Sequence, residues 1–155
     1  PSDNRTDFIK RVIGLPGDKI EMRHGILYIN DREVPRMRVD DFIEPDAFGN
    51  VRRVPRYKET LPNGVSYLTL DRIRESAWDN AGPYLVPEGH YFMMGDNRDN
   101  SSDSRVAESV GYVPFENLVG KAEIIFFSAD GSASFWQIWK WPSAIRWDRI
   151  GKWIE

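Results

Sequence analysis

The 155-residue chain contains no cysteine and only two histidines. The first absence excludes a disulfide framework, a thiolate zinc site and a cysteine nucleophile, and it leaves the redox compartment unread. Long apolar runs are missing too. The longest, Ile124–Phe127, is about four residues, whereas a membrane-spanning helix needs about 18 or more. Charge of one sign is not in excess either: 21 Lys and Arg face 24 Asp and Glu, a formal net charge of −3, so a nucleic-acid partner is not expected. No stretch keeps a 3.6-residue apolar period for more than a few turns, which argues against a helical domain.

What is present fits a folded β-rich chain. Hydrophobic residues at 41% and charged residues at 29% lie near globular averages, and the length suits one core, or one core plus a lobe. The 12 Gly and 10 Pro punctuate short β-branched and aromatic runs, the signature of an all-β, mostly antiparallel and barrel-like fold. Residues 7–13 read as a strand stopped by Gly14-Leu15-Pro16-Gly17-Asp18. Residues 20–22 and 26–29 flank Arg23-His24-Gly25 as a hairpin, and Asn30-Asp31 marks a second turn before Val34. Residues 36–53, charged and without a period, read as a long connection. Residues 56–60 and 65–70 around Pro62-Asn63-Gly64 form the strongest hairpin signal, with Asn-Gly suited to a type I′ turn. After a turn at 79–83 come strands at 84–86 and 90–94, then a polar loop from Gly95 to Arg105, and a further strand at 121–127 before a small-residue loop at 128–134. Five of the six Trp fall in the last twenty residues, interleaved with Lys140, Arg146, Arg149 and Lys152. That tail suits either packing onto the β core or seating at a lipid headgroup layer.

Two segments carry chemistry. The loop Gly95-Asp96-Asn97-Arg98-Asp99-Asn100-Ser101-Ser102-Asp103-Ser104-Arg105 sets three carboxylates and two guanidiniums within eleven residues. By residue type alone it reads as a solvated loop whose charges neutralise one another. A calcium loop fails the pattern, because Arg98, Ser101 and Ala107 stand where a ligand, the turn glycine and the bidentate glutamate belong. The second segment holds Lys10. Alternation places it on the face of Phe8 and Val12, opposite Arg11, Ile9 and Ile13. Most such lysines cover their strand with methylenes. A desolvated lysine, however, can fall from about 10.4 toward the working pH at roughly 1.4 kcal/mol per unit and then serve as a general base. Arginine cannot, because it stays protonated. His24 and His90 are isolated and receive no role. Asp40, Asp41, Glu44 and Asp46 read as a solvated loop, not a metal site, and no cofactor is expected.

Residues 8–18, Phe-Ile-Lys-Arg-Val-Ile-Gly-Leu-Pro-Gly-Asp, and residues 94–105, Met-Gly-Asp-Asn-Arg-Asp-Asn-Ser-Ser-Asp-Ser-Arg, together resemble the two most distinctive boxes of bacterial type I signal peptidases. Gly111-Tyr112-Val113-Pro114, Asn117-Leu118-Val119-Gly120, Trp141-Pro142 and Arg149-Ile150-Gly151 extend the likeness. The resemblance implies a serine–lysine endopeptidase that removes signal peptides from exported preproteins at the outer face of the bacterial inner membrane. It implies that Lys10 is the general base and that Ser101 orients it. Asp96, Asp103 and Arg105 then hold the loop by charge pairing, with Asn97, Arg98 and Asp99 in the same box. The catalytic core would comprise residues 1–18 and 88–155, and residues 19–87 an inserted β lobe. Partners would be signal peptides and the membrane surface.

The family's nucleophilic serine precedes the lysine box and follows a membrane anchor. Nine residues precede Lys10 here, so the nucleophile, its oxyanion donors and the anchor are expected in a preceding part of a longer protein, and this chain alone is expected to be inactive. Two other readings stand beside this one: a self-contained hydrolase with Ser101 as nucleophile for Lys10, and a non-catalytic β-rich binding module.

Overall fold

The computed structural model describes residues 7–45, 50–73, 75–124 and 145–153. These residues are nearly all β: ten strands and a few short 3-10 turns. The strands are β1 (Arg11–Gly14), β2 (Lys19–Arg23), β3 (Ile26–Ile29), β4 (Arg32–Glu33), β5 (Arg36–Pro45), β6 (Val51–Thr60), β7 (Ser66–Leu70), β8 (Ala81–Leu85), β9 (His90–Met94) and β10 (Val113–Pro114). They form three sheets in the orders β1-β9-β10, β4-β3-β2-β8 and β5-β6-β7, and no closed barrel exists among the described residues.

The chain divides into two compact units: Pro1–Glu44 with Val51–Val119, and Pro45–Asn50 with Gly120–Glu155. The first holds the three sheets and the core. In β2 and β3, every second side chain turns inward, so Ile20, Met22, Leu27 and Ile29 are buried while Lys19, Glu21, Arg23 and Tyr28 are not. Val34, Val86, Phe92 and Met94 complete the cluster. Phe92 is fully buried between Tyr84 and Tyr112, at ring-centroid distances of 4.9 and 6.1 Å, and burying such a ring contributes about 1.5–3 kcal/mol. In the second unit, Ile124 bridges Trp153.

Most turns fall where the sequence placed them. His24 and Gly25 (φ 50° and 75°) and then Asn30 and Asp31 (φ 52° and 64°) are consecutive left-handed pairs, which is what two-residue hairpins between right-twisted strands require. The β6–β7 hairpin runs in register from Arg56↔Leu70 to Thr60↔Ser66. Its turn is not the type I′ form expected from Asn-Gly. Only Gly64 is left-handed (φ 86°), and its N–H closes a turn onto Leu61 O at 2.8 Å, with Pro62 and Asn63 in the middle. Proline at the first central position presets a negative φ, which a type I′ turn cannot use.

Four further expectations are corrected. Residues 81–83, expected in a turn, open β8, where Ala81 pairs with Met22. The first strand begins at Arg11, not Asp7, because only there does pairing with β9 start, at Arg11↔Met94. Residues 36–53 are not a connection but hold β5 and the start of β6. Charged contacts rather than apolar alternation mark them: Arg38 pairs with Asp41, Arg38 Nη1 donates to Arg56 O and Arg56 Nε donates to Asp40 O, both at 3.0 Å. Asp40, Asp41 and Glu44 therefore sit on a strand, not in a loop. Between Lys121 and Ile124 only the isolated bridge at Ile124 is found. Residues 125–127, the loop at 128–134, Asp46 and most of the Trp-rich tail lie outside the described residues.

Candidate active site

Lys10 ends the segment entering β1, and Gly95 leaves β9. Continuing the antiparallel register by one step beyond Arg11↔Met94 sets these two residues opposite each other. The loop after Gly95 turns through a 3-10 segment, Arg98–Asn100, and returns Ser101 over the glycine. Lys10 Nζ donates a hydrogen bond to Ser101 Oγ at 2.8 Å, across 91 residues of sequence, in a partly buried setting. Lys10 Nζ also lies 5.2 Å from the centre of the Phe8 ring.

Gly95 makes this arrangement possible by lacking a side chain. A Cβ there would clash with Ser101 Oγ, fall 2.5 Å from Ser101 Cβ and stand 3.6 Å from Lys10 Nζ. Sequence reasoning did not single Gly95 out, although its place at the head of the loop was the available signal.

The loop is held by ion pairs, most of which reach outside it. Asp103 is fully buried and accepts from Gly95 N–H at 3.0 Å, from Arg105 Nε at 2.9 Å and from Arg105 Nη2 at 2.8 Å. Burial works to raise the Asp103 pKa, but the Arg105 guanidinium and the two backbone N–H groups outweigh it and hold the carboxyl below its usual range. Arg105 Nη2 also donates to Arg98 O at 2.5 Å. Arg98 is buried and forks onto Glu59 of β6, with Nη1–Oε1 at 3.0 Å and Nη2–Oε2 at 2.5 Å. Burial opposes its charge, yet Glu59 opposite keeps the guanidinium pKa above its ordinary value. Asp96 pairs with Arg11 through two bonds of 2.9 and 3.0 Å. Asn97 accepts from Arg72 Nε at 3.1 Å, and Asp99 accepts the backbone N–H groups of Arg72 and Ile73 at 2.6 and 3.0 Å.

All eight residues singled out from sequence thus converge on one loop and one strand end. The expectation of a solvated, self-neutralising loop is overturned: only Asp103 and Arg105 pair within it, and Arg98, Asp103, Ser104 and Arg105 are buried. The missed residues are Glu59, Tyr67, Arg11 and Arg72. Tyr67 OH donates to Glu59 Oε2 at 3.0 Å and its ring lies 4.1 Å from the Arg11 guanidinium carbon. Burial, and next the Glu59 charge, push the phenol pKa up. Among the described residues no group of three His, Asp or Glu is placed to hold a metal ion. The arrangement supplies a held amine beside a hydroxyl, the equipment for moving a proton to and from a reacting oxygen or nitrogen.

Residues 1–127 match the family described as signal peptidase, peptidase S26, and the chain belongs to that family. It is 45% identical to the signal peptidase I of Rickettsia typhi over 134 residues, covering 83% of this chain and 48% of that protein. It is 36% identical to the signal peptidase I of Rickettsia bellii over 167 residues, covering 97% of this chain and 55% of that protein. The chain therefore spans about half the length of the curated relatives it matches. A solved signal peptidase I from Enterococcus faecalis is 30% identical, with 72% of this chain and 78% of that one covered and a TM-score of 0.37.

Proposed function

We propose that this chain forms part of a membrane-associated serine endopeptidase that removes signal peptides from exported preproteins, with Lys10 as general base. The observation that carries the reading is the 2.8 Å bond from Lys10 Nζ to Ser101 Oγ, walled by Gly95. The nucleophile is a serine contributed by another part of the longer protein. Its oxygen attacks the scissile carbonyl while unprotonated Lys10 takes the hydroxyl proton. Lys10 returns that proton to the leaving amine, and water then releases the acyl group. Ser101 fixes the lysine rotamer, a task that falls to the aspartate in His-based triads. The substrate lies extended beside β1, which has β9 on one side only among the described strands, so main-chain pairing takes any extended peptide. The reading also seats the protein at the headgroup layer of the inner membrane, on its periplasmic side. Trp147 and Trp153 are exposed beside Arg146, Arg149 and Lys152, side chains that favour that layer.

The test is acylation of the full-length protein by a peptidyl electrophile, with the labelled residue located by mass spectrometry. The reading expects a label on a serine other than Ser101, and a Ser101→Ala variant that still labels, more slowly. A label on Ser101 makes it the nucleophile and overturns the assignment.

A further inference from the structure

Two chains of contacts run into the Lys10–Ser101 pair, and both start from one cross-strand pair of the β6–β7 hairpin, Glu59↔Tyr67. On one route, Glu59 holds the Arg98 guanidinium, Arg98 O accepts from Arg105, Arg105 pairs with Asp103, and Asp103 accepts the N–H of Gly95, the residue against which Ser101 packs. On the other, the Tyr67 ring faces Arg11, and Arg11 grips Asp96. Arg11 and Asp96 are the sequence neighbours of Lys10 and Gly95. The hairpin thus reaches the sequence neighbours on both sides of the Lys10–Ser101 pair. Its far strand also docks directly, with Leu70 N–H donating to Asp96 O at 2.8 Å.

We infer that Glu59 and Tyr67 are positioning residues: the β6–β7 hairpin sets the geometry of the general base and thereby the rate of the chemical step. The inference rests on the proposed function and deepens it. Glu59 is 1% exposed and takes two guanidinium bonds and the Tyr67 hydroxyl at once. A carboxylate so committed fixes the Arg98 backbone, and with it the carbonyl on which Arg105 is anchored. Small displacements of a catalytic group cost far more in turnover than in substrate affinity, because the ground-state contacts with an extended peptide are made elsewhere.

The experiment compares full-length wild-type, Glu59→Gln, Arg98→Met, the double variant, Tyr67→Phe and Lys10→Met enzymes on a preprotein substrate, with active sites counted by acylating inhibitor. Glu59→Gln is expected to lower kcat per active site roughly ten- to a hundred-fold with KM unchanged within about two-fold. The double variant is expected to be no slower than the worse single, since both residues act as one unit. Hydrogen exchange at the Gly95 and Arg105 amides is expected to quicken in step. If Glu59→Gln does not fold, Tyr67→Phe decides: it keeps the ring over Arg11, and a several-fold loss of kcat is expected. A normal kcat per active site with only a lower melting temperature overturns the inference, and additive losses in the double variant do the same. Should Lys10→Met retain full activity as well, the reading beneath it falls together with the inference. Should only Lys10→Met lose activity, the inference falls alone.

Discussion

The loop at 95–105 and residues 38–41 of β5 are both rich in Asp and Arg, yet their charges are held in opposite ways. In the loop, Asp103, Arg98 and Arg105 are buried, and each ionic group has several partners at fixed positions. On β5, Arg38 and Asp41 pair at the surface, with side chains 44% and 25% exposed. Composition cannot separate the two cases, because what differs is the cost of losing a partner. A buried charge left alone retains its full desolvation penalty, whereas an exposed one returns to water. The first kind of pair specifies one geometry; the second only keeps a strand in solution.

That contrast is sharpest at Asp103. Replacing it with Asn leaves the Arg105 guanidinium buried without its counter-charge, and unfolding at pH 7 is expected to become easier by about 3–5 kcal/mol in denaturant titration. The sign with pH follows from the depressed carboxyl pKa in the folded state. The stabilisation is fully present above the unfolded value near 4 and is lost as pH falls through the lower folded value. The gap between wild type and Asp103→Asn is therefore expected to close on acidification, and a gap that stays constant from pH 7 to pH 2 would show that the charge is not its source.

Next in size is Gly95→Ala, which sharpens the contrast from the side of geometry. The added methyl meets Ser101 Cβ at 2.5 Å, so the serine must swing away from Lys10. Turnover by the longer protein is expected to fall about a hundred-fold or more, while the melting temperature moves by a few degrees. Unchanged turnover would mean that the Lys10–Ser101 contact is dispensable. The smallest effect belongs to the exposed pair. Asp41→Ala is expected to leave both the unfolding midpoint and turnover indistinguishable from wild type, and a marked loss would erase the distinction between the two regions.

How much of this was legible in the sequence follows the same division. The β2–β3 hairpin declared itself through alternating Ile20, Met22, Leu27 and Ile29 and through His24-Gly25, because local pattern and turn chemistry agree there. The β6–β7 hairpin could be placed from Pro62-Asn63-Gly64 but its register could not: a two-residue Asn63-Gly64 turn would set Thr60 opposite Tyr67, and Thr60 lies opposite Ser66 because proline redirected the turn. β5 was missed because five of its ten residues are charged and its apolar residues Met37, Val39, Phe42 and Ile43 do not keep one alternation. The loop residues and Lys10 were legible through the two boxes, but the partners that bury them were not. Glu59 sits in Lys58-Glu59-Thr60, a setting that looks solvated, and only the docking of its hairpin against Arg98 makes it a core residue. Contacts 39 or 91 residues apart in sequence leave no local trace, so they become visible only once the sheets are assembled.

Lys10 is the group proposed to move the proton. The most direct measurement is the rate of preprotein cleavage by the full-length protein carrying Lys10→Met, a substitution that keeps an unbranched side chain one atom shorter and removes its amine. Cleavage is expected to fall by about a thousand-fold or more, with the melting temperature close to wild type. Cleavage at the wild-type rate would contradict the account.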